Sequence, residues 1–245
     1  MIVVILGGNG LRKPRDDSFF AYSQCSMMLS VNKAVKKNKM ILTRCQNGVI
    51  VRSDSVSISF LKGSITMKKN TGAQLALYPA PVIVVGAMVD GKPNWTLVAH
   101  AGIMAHSHLM LSMVKAHYTN KGIRENKVVS VNVVDASWLK GADKMGCVSG
   151  NKTDKSEAFA YTIGEKGAPM IDEAKVTMEC EVEDIYDLQG FDNFICRITG
   201  TYVEEGILTE KDKIDYRKFK PVLFQFPSYE YLETGDILGA CMKMN

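Results

Sequence analysis

From residue 67 onward the apolar positions fall into runs of five to fifteen residues broken by turn signals, as in a strand-rich domain. Pro79-Ala80-Pro81 leads into Val82–Val89, a nearly continuous apolar run suited to a strand buried on both faces. Asp90-Gly91 is a two-residue hairpin turn, and Asn94–Ala105 returns as the partner strand, with Gly102 as a bulge or a point of close backbone approach. His108–Val114 and Lys127–Val134 predict two further strands. Between them Lys115–Lys127 reads as a short helix with Thr119 as N-cap and Ile123 on its apolar face. Asp135 is expected to cap a helix running to about Met145, and Lys152–Phe159 to form one or two helical turns. Ala174–Leu188 alternates, with Val176, Met178, Cys180 and Val182 on one face and Thr177, Glu179, Glu181 and Glu183 on the other. Gly190 turns it into a strand over Asn193–Val203, while Leu223–Phe226 and Tyr229–Leu232 have weaker strand character. Strands joined by tight turns, with few inserted helices, predict a mainly β antiparallel barrel and exclude a doubly wound parallel sheet.

The first 66 residues read differently. They are rich in Ser and Lys and show only scraps of pattern: two short strands within Met40–Val51 around Asn47-Gly48, and weak alternation over Val56–Leu61. Gly7-Gly8-Asn9-Gly10 follows an apolar run, but Pro14 and Asp16-Asp17 interrupt any helix that a dinucleotide loop would need. The expected organisation is an N-terminal extension, 1–66, and a domain over 67–245. The extension is a basic tail, a small strand-bearing unit, or an over-extended reading frame whose natural start is Met67. Lys62-Gly63-Ser64 is compatible with a purine-rich ribosome-binding sequence just upstream of that codon.

Charge sharpens this division. The chain of 245 residues carries a formal +4, with 30 Lys/Arg and 26 Asp/Glu. Residues 1–66 hold ten of the former and three of the latter, leaving 20 basic and 23 acidic residues in the body. The body therefore lacks the electrostatic footprint of a nucleic-acid binder. No apolar run reaches the roughly 18 residues of a membrane span, and Met1–Leu6 lacks the basic lead of a signal peptide. Six cysteines without a CxxC read as buried thiols of a reducing compartment, which places the protein in the cytoplasm. Cys147 is expected to pack behind its loop.

Lys115–Thr119 offers candidate chemistry. A helix N-terminus presents free N–H groups and a partial positive charge, and a lysine beside it adds a full one, the elements of a phosphate cradle or simply of a solvated strand–helix connection. All four histidines fall within His100–His117, and His106 and His108, two apart on a strand, would share a face and offer a metal two ligands. No HExxH or carboxylate-rich partner accompanies them, so no metal is assigned.

The ordered set Pro81-Val82-Ile83-Val84-Val85, Asp90-Gly91-Lys92-Pro93-Asn94-Trp95-Thr96, Lys115-Ala116-His117-Tyr118-Thr119-Asn120, Val131-Asn132-Val133 and Cys147–Lys155 resembles the flavin reductase-like family, in particular its flavoredoxin-type members. The resemblance covers residues 75–240. It implies a split β-barrel that binds FMN, with Lys115, Tyr118 and Thr119 at the phosphate and the strand containing Thr96, Val98, Ala99, His100 and Ala101 along the isoalloxazine edge. Asn132 and Ser149 belong to the motifs that carry the resemblance. His100 and His117 are candidate contacts, and Lys155 of the Ser149–Lys155 loop would touch the flavin or steer a nicotinamide nucleotide. Asn151 replaces an arginine usual in that loop. No catalytic side chain is implied, because the hydride chemistry is the cofactor's. The implied function is an NADH- or NADPH-dependent flavin reductase-type oxidoreductase. The alternatives are an FMN electron relay serving an acceptor protein and, more remotely, a histidine-based metal protein. The family also implies a homodimer, for which Ile103–Met113 supplies apolar side chains that would otherwise fill the barrel.

Overall fold

The computed structural model describes residues 68–244, together with the backbone of three strands between 41 and 59. The chain divides into two compact units, Met1–Gly72 and Ala73–Asn245. The first contains an antiparallel sheet of β1 (Ile41–Cys45), β2 (Gly48–Ser53) and β3 (Val56–Ser59). The expectations for the opening Met1–Gly10 run and for a start at Met67 lie outside the described residues.

The second unit runs β4 (Ala80–Pro81), β5 (Ile83–Val89), β6 (Lys92–Val98), β7 (Ala101–Ala105), β8 (His108–Val114), α1 (Thr119–Asn126), β9 (Val128–Val133), α2 (Leu139–Cys147), β10 (Tyr161–Ile163), β11 (Pro169–Ile171), β12 (Val176–Leu188), β13 (Phe191–Val203), β14 (Val222–Gln225) and β15 (Glu230–Glu233). Seven strands form one antiparallel sheet in the order β6-β5-β9-β12-β13-β8-β7. The architecture is mainly β, an antiparallel split barrel with inserted helices, as the apolar pattern and the turns predict.

The barrel interior is built by alternation. Ile83, Val85 and Ala87 of β5, Leu109, Leu111 and Met113 of β8, and Phe194 and Cys196 of β13 share one core with Ile123 of α1. Val82 and Val84 point the other way and meet Trp95, Trp138, Ala142 and Met145. β5 is thus buried on both faces, which is why its sequence lacks polar alternation. Burial raises the thiols of Cys180, to about 12, and of Cys196, so both remain protonated.

Asp90 and Gly91, at φ 50° and 79°, make the predicted turn between Val89 and Lys92. The return strand, however, is two strands. β6 ends at Val98, Ala99 and His100 cross over, and β7 lies at the opposite edge of the sheet. The irregularity in β7 falls between Ile103 and Ala105, not at Gly102. This division separates the Met/Leu cluster: Leu109, Leu111 and Met113 fill the core, while Ile103 and Met104 stand 93% and 55% exposed on β7.

Three local readings also change. Asp135 makes an Asx turn, accepting the Ser137 N–H at 2.8 Å, and α2 begins only at Leu139. Lys152–Phe159 is a series of turns, because Asp154 takes the Ser156 N–H at 2.9 Å. Glu179 does not face water. The β10–β11 hairpin covers it, leaving it 1% exposed, and its Oε1 accepts the amides of Lys166 and Ala168 at 2.9 and 3.1 Å. The alternation hid this, because a covering hairpin contributed from elsewhere in the chain leaves no mark on the strand it covers. The weak segments after residue 220 are strands, β14 pairing with both β15 and β4.

α1 packs so closely on the β5–β6 hairpin that a Cβ at Gly122 would collide with the Met88 carbonyl. Gly122→Ala is expected to destabilise the protein by about 1–3 kcal/mol in urea unfolding, whereas Gly102→Ala, whose Cβ meets nothing closer than 4.0 Å, shifts it by less than about 0.5 kcal/mol. Glu179→Ala orphans the buried Ala168 amide and frees the part-buried Lys166 amide, and is expected to cost about 1–3 kcal/mol, with hydrogen exchange accelerating over residues 161–171.

Candidate functional site

The parity of β6 is written by Pro93, which has no N–H and therefore cannot face a hydrogen-bonding neighbour on both sides. It sits opposite Met88 with its main chain turned to the open edge of the sheet. Trp95, Leu97 and Ala99 share that direction; Thr96 and Val98 turn theirs toward Val85 and Ile83 of β5. The main-chain edge expected from Thr96, Val98, Ala99, His100 and Ala101 is thus carried by Leu97 and Ala99, with His100 and Ala101 exposed beyond them. The Val98 side chain belongs to the barrel core.

Thr119 lies inside the first turn of α1. Tyr118 occupies the cap position, and no side chain caps the helix. The Thr119 hydroxyl points into the protein, accepts from Asn94 Nδ2 at 2.6 Å and touches the Thr96 hydroxyl. The amides of Asn120 and Lys121 fold back on the carbonyls of His117 and Tyr118, both at 3.1 Å. Tyr118 Oη donates to Asp90 at 2.7 Å. Lys115 pairs with Asp187 on the surface. The predicted cradle of Lys115, Tyr118 and Thr119 therefore has its hydroxyls and its charge engaged within the protein.

Lysines ring this region, most of them neutralised. Lys121 is held by Asp90 and Lys92 by Asp154, and each pair lowers its carboxylate below the usual range. Lys155 differs. It is 5% exposed, its ammonium donates to the carbonyls of Trp95 and Met145 at 2.9 Å each, and no carboxylate pairs with it among the described residues. Burial pushes its pKa down. His117 is half-buried, and burial first and the Lys155 charge second hold it below the ordinary histidine range. Its Nδ1 is buried without a hydrogen-bond partner among the described residues. An uncompensated cation next to an orphaned imidazole nitrogen is a pair that an anion would satisfy.

The Ser149–Lys155 loop closes on this pair. A Cβ at Gly150 would lie 2.5 Å from Asn94 Oδ1 and 2.8 Å from the Tyr118 ring, and Asn151 Nδ2 reaches the Ala116 carbonyl at 3.4 Å. Ser149 is exposed and its hydroxyl takes the Asn151 amide at 3.3 Å. The structure thus gathers His117, Tyr118, Gly150 and Lys155 around the Asn94–Trp95 part of β6, with Ala99 further along the same edge. Asn132 stands apart: it is fully buried, donating to Val84 O and Ser130 Oγ and accepting from Ile171 N and Thr177 Oγ1, a brace between strands. Cys147 lies exposed at the end of α2, not behind the loop.

The histidines do not form a shared face. His106 lies in the β7–β8 turn, His108 meets Glu183 at 3.1 Å, and His100 meets Tyr78 Oη at 2.8 Å. Among the described residues no three His, Cys, Asp or Glu side chains gather where they could hold a metal ion. Nor is any described helix long and apolar enough to cross a membrane. Asn94, Gly150 and the Leu97 main chain also lie at this edge and were not among the expected site residues, although Pro93 carried the parity that points to Leu97.

Comparison with known proteins accords with this geometry. The family described as flavin reductase like domain matches residues 75–233. The flavoredoxin of Methanosarcina acetivorans is 35% identical, with a TM-score of 0.70 over 73% of this chain and 97% of its own. The flavoredoxin of Desulfovibrio vulgaris (Miyazaki F) is 30% identical, with a TM-score of 0.66 over 73% and 99%. Nitrilotriacetate monooxygenase component B from Bacillus cereus shares the fold at 20% identity and a TM-score of 0.63, over 72% and 100%. No curated protein sequence matches. A family match across most of the chain and two flavoredoxins at 30% identity or more, each covered almost end to end, make the chain a member of the flavin reductase-like family.

Proposed function

We propose that the protein binds FMN at the open edge of β6 and acts as an NADH- or NADPH-dependent oxidoreductase of the flavin reductase type. The observation that carries this reading is the Lys155–His117 pair: a buried ammonium without a carboxylate, beside an imidazole nitrogen without a partner. A bound flavin nucleotide supplies the hydride and electron chemistry. The chain supplies the rest. Lys155 and His117 offer charge and a hydrogen bond to an anionic group of the cofactor, and the Leu97 and Ala99 main chain offers donors and acceptors to a planar ring edge. Gly150 lets the loop lie against Asn94 and Tyr118, which narrows the site and limits water. No acid or base side chain is required.

The homodimer and a cytoplasmic setting belong to the same proposal. Strand β7 is a sheet edge with Ile103 and Met104 bare to solvent, a surface that soluble proteins ordinarily cover. A second copy placed there would bring its own chain close to His100 and Ala101 and complete the pocket.

The purified full chain is expected to take up FMN and show its visible absorbance, which NADH or NADPH bleaches under anaerobic conditions. FMN-loaded protein that ignores both nucleotides is an electron carrier, and protein that takes no FMN ends the proposal. Lys155→Met is expected to weaken FMN retention at least about tenfold, some 1.4 kcal/mol, while Lys115→Met, already paired with Asp187, changes it by less than about threefold. Equal losses in the two variants would return the phosphate to Lys115.

A further inference from the structure

A second concavity lies on the other side of His100. It measures about 420 Å³ and is lined by Tyr78, Pro79, Gln225, Phe226, Pro227 and Ser228. Its walls are aromatic. Tyr78 meets Phe224 and Phe226 at ring separations of 6.0 Å, and Phe226 meets Tyr229 edge-on at 5.3 Å. Phe226 and Tyr229 are nevertheless 43% and 71% exposed. Rings pack this way around one another or around another planar ring, since the electropositive edge of one meets the electron-rich face of the next.

The polar groups at the rim are oriented, and they select the ligand. Gln225 Nε2 donates to Ser228 Oγ at 2.8 Å and to Glu230 Oε2 at 2.7 Å. A carboxylate only accepts, so Glu230 fixes which end of the Gln225 amide is nitrogen. Both amide hydrogens are then committed, and Gln225 Oε1 takes no hydrogen bond among the described residues. Ser228, having accepted, retains a proton to donate. A held acceptor beside a free donor is the complement of a primary carboxamide, which offers N–H and C=O side by side.

We infer that this cavity is a binding site for an aromatic carboxamide, its ring held against Tyr78 and Phe226, the latter backed by Tyr229, and its amide read by Gln225 and Ser228. The site is separate from the β6 edge, where Lys155 and His117 lie. The hydrogen bond between Tyr78 Oη and His100 Nε2 ties the cavity wall to the β6–β7 crossover. On the reading proposed above, the carboxamide-bearing ring that reaches this chain is the nicotinamide of NADH or NADPH.

Benzamide, which is redox-inert and carries no phosphate, tests the site on the full chain, with and without FMN, by calorimetry and ligand-observed NMR. Benzamide is expected to bind at least fivefold more tightly than cyclohexanecarboxamide, which has the same amide on a non-planar ring. Phe226→Leu and Tyr229→Leu are each expected to weaken benzamide at least threefold, with the urea unfolding midpoint unchanged because both rings are partly in solvent. Gln225→Met removes the preference for the amide over methyl benzoate. Equal binding of the planar and non-planar rings, indifference to both Leu variants, or displacement of benzamide by FMN would each overturn the inference. FMN uptake is read separately from visible absorbance. Protein that binds benzamide through Phe226 but takes no FMN defeats the flavin reading and leaves this one standing.

Discussion

The site depends on one interaction, the grip of the buried Lys155 ammonium on two main-chain carbonyls. Trp95 O lies on the open edge of β6 and Met145 O near the end of α2. One cation therefore joins a strand edge, a helix terminus and the loop that carries the lysine. Burying an ammonium is costly unless its hydrogens are used, and here two carbonyl dipoles satisfy two of them while leaving the charge uncancelled. A carboxylate in their place would have made the joint firmer and the site electrically silent.

The neighbouring ion pairs follow from the same requirement. Lys92, Lys115 and Lys121 each meet an aspartate at the surface, with both partners substantially solvated. Such pairs contribute little to stability, on the order of 0–1 kcal/mol. Their consequence is electrostatic: they remove competing positive charge from the rim, so the field near His117 is set by Lys155. Because desolvation and that same charge both disfavour the imidazolium, His117 stays neutral and keeps a nitrogen able to serve as donor or acceptor according to its tautomer.

Much of the fold was legible because its determinants are local. The Asp90-Gly91 turn, the doubly apolar Val82–Val89 run and the long alternating strands each announce themselves within a few residues. The site was less legible because its determinants are relations between segments. Thr119 has the composition of an N-cap, yet Asn94 and Thr96 lie beneath it and turn its hydroxyl inward. Glu179 has the periodicity of a solvent-facing residue, yet a hairpin contributed from residues 161–171 covers it. Lys115 is expected at a phosphate from its position before a helix, and in the structure it meets Asp187, at the end of β12, a partner no local pattern announces. The order of motifs drew attention to the loop around Lys155 without showing that its ammonium turns inward onto two main-chain carbonyls.

The break between β6 and β7 explains why an open strand edge exists at all. A closed barrel leaves no unpaired strand, and a continuous Asn94–Ala105 strand would have spent its amides on neighbours. By crossing at Ala99 and His100, the chain ends the sheet with β6 on one side and β7 on the other, so both edges keep unpaired main-chain groups. The two edges then receive different treatment. α2 and the Lys155 loop lie along β6, leaving a short opening, whereas β7 carries Ile103 and Met104 outward with nothing on them among the described residues. An edge narrowed to a few main-chain groups suits a small planar ligand, and an edge left long and apolar suits another protein surface. Because Ala99 and His100 join these edges directly, whatever covers β7 also borders the end of β6, and occupancy of one edge bears on the shape of the other.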